Sequence, residues 1–201
     1  KCMVLYDNNS GYGIQIIIMS TIGSVTLGDL DGSDNQVASA NSYNNAITTL
    51  NNTAANYLNT TYATSARNVG SVPNNKNSES TTYTTYTNQY NGSTYSFRGQ
   101  DNNYVTDWNQ MGTLGIRSTG SNYWLSSRVQ TPSGNSMLYD IRRVNTSGVI
   151  TTDEMLLVFV SSGNLYPDTY TYAIRPVFTL KTTLKITGGS GTSSSPYTLG
   201  T

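Results

Sequence analysis

The residues with the clearest capacity for chemistry lie in NLYPDTYTYAIRP, residues 164 to 176. Taken at every second position, this stretch reads Asn164, Tyr166, Asp168, Tyr170 and Tyr172. The other phase, Leu165, Pro167, Thr169, Thr171 and Ala173, carries smaller or more modest side chains. Successive side chains of a strand point to opposite faces, so the first set predicts one face of phenol, amide and carboxylate groups. Tyrosine gives a rigid amphipathic surface with little rotamer entropy to lose, and Asn and Asp beside it add adaptable hydrogen bonds, as in antibody binding loops. The plainer alternative is that the tyrosines coat an exposed strand, because tyrosine is a good strand former.

Other chemistry is sparse. GDLDGSD, residues 28 to 34, sets Asp29, Asp31 and Asp34 around a glycine, a source of hard oxygen ligands for calcium. The spacing lacks the EF-hand pattern, and an acidic turn capping the next helix is the favoured explanation. Asp153 and Glu154 are adjacent, so on a strand they face opposite ways and do not form a glycosidase pair. There is no histidine and one cysteine, Cys2, which excludes an intrachain disulfide, Cys–His chemistry and a zinc site. No GxSxG, phosphate-binding glycine loop or metal-ligand cluster occurs, and no enzymatic activity is expected. Eleven Lys and Arg balance eleven Asp and Glu, so no basic field draws nucleic acid or an anionic membrane. Only 11% of the residues are charged, against roughly 25% in typical soluble domains. Sixteen tyrosines, with Asn, Ser and Thr, supply the polarity instead.

These side chains need a frame. KCMVLYDNNSGYGIQIIIMS reads as a β-hairpin around a turn-forming DNNSG, and SVTL (24 to 27) as a short strand. From 36 to 58 the period changes: Val37, Ala40, Tyr43, Ala46, Ile47, Leu50, Ala54, Tyr57 and Leu58 form a helical stripe, with Asp34 or Asn35 as its cap. Residues 66 to 104 are polar and turn-rich, with some Thr/Tyr strand pairing in the second part. TDWNQMGTLG (106 to 115) predicts a second, shorter helix with Trp108, Met111 and Leu114 on one face. NYWLSSRV, MLYDIRRV, EMLLVFVSS and IRPVFTLK then read as strands, followed by TLKITGG and PYTLGT around a Gly/Ser-rich loop. The apolar stretch 13 to 23 is too short to span a bilayer.

NYWLSSR (122 to 128), YDIRRVNTSG (139 to 148) and AIRPVFTLK (173 to 181) together resemble the C-terminal half of bacterial C-type-lectin-fold proteins, including targets of diversity-generating retroelements. The LNTTYAT and VPNNKNSES stretches also resemble these surface proteins, so the likeness covers most of the chain. It implies one α+β domain over residues 1 to 201 with a C-type-lectin-like fold: a mixed antiparallel sheet, two flanking helices and long loops. N- and C-terminal strands would pair at its base. Trp124, Leu125, Ile141, Val144, Ile174 and Val177 would be buried, and Arg128, Arg142 and Arg175 would bond the scaffold.

The resemblance further implies a variable ligand-binding region at about 122 to 177. Leu138, Asp140, Arg143, Asn164, Tyr166, Asp168, Tyr170 and Tyr172 would present a diversifiable face to a protein or glycan, in an extracellular or cell-surface protein of bacterial or phage origin. Ala173 departs from the glycine that relatives often carry, and TDWNQ matches no calcium-dependent sugar motif. A lone Cys2 cannot supply the cysteine pair of formylglycine-generating enzymes. Relatives often follow a pilin-like hydrophobic helix, so a chain starting at Lys1 is expected to be a mature form or fragment, with an export or anchor helix upstream through which it self-assembles. A pilin-like or surface-layer subunit is the structural alternative, and a carbohydrate-active enzyme would need convergent acids in a cleft.

Overall fold

The computed structural model describes residues 1–28, 36–71 and 79–200. These residues build a mixed α+β fold, mostly strands paired antiparallel, with two α-helices.

The expected N-terminal hairpin forms from β1 (Cys2–Tyr6) and β2 (Gln15–Ile18). Its connection is pinned by Asp7, whose side chain accepts the backbone N–H of Asn9, and by Gly11 at φ 76°. Strand β4 (Ala63–Asn68) and strand β12 (Pro176–Leu180) complete a four-stranded sheet in the order β1-β2-β12-β4. An early strand therefore pairs with one from the last part of the chain, Val177 opposite Ile17. Residues 66 to 68 read as polar loop, yet they belong to β4. That strand is held by pairing with β12 from Asn68 to Ala63, interrupted by one register shift between Thr179 and Leu180, and by Asn51 Oδ1 accepting the Asn68 N–H at 2.9 Å.

The larger sheet runs β10 (Leu165–Pro167), β9 (Ile150–Phe159), β8 (Ser136–Val144), β7 (Tyr123–Ser133), β11 (Thr169–Ile174) and β3 (Ile22–Gly28). Helix α1 (Gln36–Ala55) lays Ala40, Tyr43, Ala46, Leu50 and Ala54 against one face of it. The predicted stripe is thus confirmed at its centre, while Val37 and Tyr57 are exposed and the helix ends before residue 57. Its capping residues, Asp34 and Asn35, lie outside the described residues. Helix α2 (Tyr104–Thr113) packs Met111, with half-buried Trp108 and Leu114, into a second core beside β1 and β7. Strand β7 divides the two cores: Trp124 enters the first, and Tyr123 and Leu125 enter the second. Two hairpins, β5 (Tyr83–Thr87) with β6 (Thr94–Arg98) and β13 (Lys185–Gly188) with β14 (Thr198–Gly200), form separate two-stranded sheets.

Buried arginines tie the layers together. All the apolar residues expected inside are buried; Arg142 and Arg175 bond mainly main-chain carbonyls, and Arg128 mainly the Asp101 and Glu79 carboxylates. Arg175 donates to Ile18 O and Ile116 O, Arg142 to Asp101 O and Arg128 O, and Arg128 to Asn44 O. A further pair, Arg67 on β4 with Asp107 on α2, is bidentate at 2.5 and 3.0 Å, and the Tyr6 hydroxyl and the Gly70 N–H also donate to that carboxylate.

Candidate recognition site

The alternating phase from Asn164 to Tyr172 does not run along one strand. β10 pairs with β9, placing Tyr166 opposite Leu157, whereas β11 pairs with β3, placing Tyr170 opposite Leu27 and Tyr172 opposite Val25. The chain changes partner at Asp168, whose N–H donates to Met155 O at 3.0 Å. Leu165, Leu27 and Val25 all enter the first core. Tyr166 therefore stands on the outer face of the sheet, while Tyr170 and Tyr172 lie on the core side at its rim, half-buried against that core. The expectation of one continuous tyrosine face is corrected on this point: a change of strand partner between two turns of the alternation reassigns the faces.

At the rim, the side chains touch in series. The Tyr170 hydroxyl donates to Asp168 Oδ2 at 2.8 Å, and the Tyr170 and Tyr172 rings stack with centroids 6.3 Å apart. Tyr172 meets the buried Trp124 edge-on at 4.8 Å, and the Arg143 guanidinium lies 5.0 Å over the Tyr172 ring. Arg143 is held in turn by an ion pair with Asp153 and by Asn122 Oδ1 at 3.3 Å. Trp124 and Arg143 are directly opposed on β7 and β8, which sets them on one face. The hydrogen bond to Asp168 pushes the Tyr170 phenol up to about 12, and burial followed by the Asp153 charge raises Tyr172. Burial also raises Asp153, with the Arg143 charge opposing it. Both phenols thus stay protonated at neutral pH, and the cluster offers ring faces, hydroxyls and a guanidinium for binding.

The remaining candidates lie elsewhere. Strand β8 alternates regularly, so Leu138 and Asp140 point away from Arg143. Leu138, Leu157 and Tyr166 are direct neighbours across β8, β9 and β10, making one row on the outer face. Tyr166 is 54% exposed and meets Phe159 edge-on at 5.5 Å. Asp140 is not on the surface but 3% exposed, opposite Glu154 on β9. Asn164 accepts the side-chain amide of Asn88 at 2.8 Å and so joins the end of the β5–β6 hairpin. The calcium candidates Asp29, Asp31 and Asp34 lie outside the described residues, and among the described ones no three acidic or cysteine groups are arranged to hold a metal ion.

Sequence reasoning missed Asn122, Leu157 and Phe159 as neighbours of these residues. Asp153 and Glu154 do face opposite ways, as adjacency requires: one meets Arg143, the other opposes Asp140. Beyond them a register shift puts Met155 and Leu156 both in the core. This bulge reverses the parity of the rest of β9, and only the unusual apolar run MLLV hints at it. Comparisons with protein-family models, curated proteins and solved structures gave no match.

Proposed function

We propose that this chain is a non-catalytic recognition module of C-type-lectin type, acting outside the cell and binding a protein or glycan through the rim of its larger sheet. The observation that carries this reading is the unbroken contact series Asp168–Tyr170–Tyr172–Arg143. It combines aromatic anchors, donors and acceptors in one partly exposed cluster, the composition of binding hot spots. The arginine motifs that carry the likeness to retroelement targets serve the scaffold, which leaves the rim positions free to differ between family members. β2 paired with β12 and two helices beside the sheets agree with the implied architecture.

A library randomised at Arg143, Asp168, Tyr170 and Tyr172 tests the reading. Displayed on phage, it should yield folded members that bind unrelated protein or glycan targets with sub-micromolar affinity. A library that gives folded members but no binders to any panel target sinks it. Sequencing this locus across one bacterial population gives the second check, with substitutions concentrated at 138, 140, 143 and alternate positions of 164 to 172.

A further inference from the structure

The outer face of the β8–β9–β10 sheet carries an unbalanced charge that the rim cluster does not use. Asp140 and Glu154 are directly opposed across β8 and β9, where like charges repel. Among the described residues no ion pair reaches either of them. Asp140 is 3% exposed and its Oδ1 has no hydrogen-bond partner. Thr152 supplies its one side-chain hydrogen bond. The nearest cation on the same face, Arg142, donates instead to Asp101 O, Ser127 Oγ and Arg128 O, and stacks over the Tyr104 ring at 4.3 Å. Asp168, at the corner between the faces, adds a third carboxylate whose charge reaches Glu154. A buried carboxylate with an empty acceptor is costly unless something positive completes it.

Beside these acids runs the apolar row Leu138, Leu157 and Tyr166, extended by Phe159, which is 37% exposed. We infer that this outer face docks a protein segment that presents an Arg or Lys flanked by apolar side chains. The cation would meet Glu154 at the surface, with Asp140 behind it as the second negative charge, and the flanking residues would cover Leu138, Leu157 and the Tyr166 ring. The two-residue step from Leu138 to Asp140 along β8 equals the same-face step of an extended segment, so such a segment can set an apolar and a cationic side chain on these positions in turn. Charge complementarity favours this occupant over a neutral glycan. The surface shares Asp168 with the rim cluster but does not require the rim tyrosines or Arg143.

The test is a titration of ¹⁵N-labelled full chain with acetyl-Leu-Gly-Arg-Gly-Leu-amide, whose leucines share a face with the arginine when extended, and with the same peptide carrying neutral citrulline in place of arginine. The arginine peptide should shift amides of β8, β9 and β10 in a saturable way, and the citrulline peptide should bind at least fivefold more weakly. Asp140→Asn and Glu154→Gln should each weaken the arginine peptide at least threefold, and Tyr172→Ala should leave it unchanged. Equal binding of the two peptides overturns the inference. So does a neutral chito-oligosaccharide or calcium chloride that moves the same amides as strongly as the peptide does. Loss of peptide binding in Tyr172→Ala would also overturn it, by assigning the peptide to the rim. Failure here leaves the recognition reading intact, since that reading is tested by selection at the rim positions.

Discussion

Tyr166 and Tyr172 share a phase in the sequence but not an environment. Tyr166 stands on the outer face against Phe159, whereas Tyr172 rests on Trp124 at the edge of the core. Tyr172→Ala should therefore cost about 2 kcal/mol, below the full cost of a core aromatic because the ring is only half-buried. Tyr166→Ala should stay within ~0.5 kcal/mol, as surface changes do. Paired urea titrations measure both. Asp140 makes a second prediction. Burial first, then Glu154 and Asp153, push it up to about 6 from 3.8, while Thr152 and Arg142 pull the other way. The folded state then holds this proton more tightly than the unfolded state, so stability falls as pH rises from about 4 through 6. Asp140→Asn should accordingly raise the Tm at pH 7, and the gain should shrink steadily as the pH is lowered to 4. A Tm difference that stays constant with pH would contradict this.

At the scale of elements, the site depends on two joints. Gly28 ends β3 opposite Thr169, next to the residue where the chain changes strand partner. Its φ is 110°, and an added Cβ would lie 1.9 Å from Asp168 O. Gly28→Ala should destabilise by at least ~2 kcal/mol and shift the amides of β11, because neither the dihedral nor the neighbouring main chain can yield cheaply. The other joint is the Arg67–Asp107 pair, which locks β4, α2 and, through Tyr6, β1. Asp107→Ala leaves Arg67 as a buried charge without its carboxylate and should cost about 4 kcal/mol in urea unfolding. Asp107→Asn should cost less, since the amide oxygen still accepts the hydrogen bonds of Tyr6 or Gly70.

The whole molecule is closed by pairing over long sequence distance, β2 with β12 and β3 with β11. Such closure makes refolding slow, on the order of milliseconds to seconds, because the loop entropy is spent before the contacts form. Removing residues 1–20 should unfold the protein, since β12 loses its inner neighbour β2. Removing the chain from residue 185 onward should lower the Tm only a few degrees, because β13 and β14 pair with each other and, among the described residues, with no other strand. The same deletion should promote self-association. The hairpin overhangs a groove of about 1360 Å³ whose walls include Ile14, Ile16, Leu180 and Leu199.

Periodicity alone determined much of the frame. The stripe from Ala40 to Ala54 could be only a helix and the hairpin from Cys2 to Ile18 was readable from the residues, whereas the buried Trp124 and Ile141 and the scaffold arginines were expected only from the resemblance. What the tertiary structure decided was the side on which each polar residue ended. A bulge in β9 and a change of partner at Asp168 each shift the two-residue period by a step, and a single step exchanges inside for outside. The energy that sets those shifts comes from elements distant in sequence, β3 for the change of partner and the α1-lined core that takes both Met155 and Leu156 for the bulge, so no local pattern around Asp140 or Tyr166 contained it.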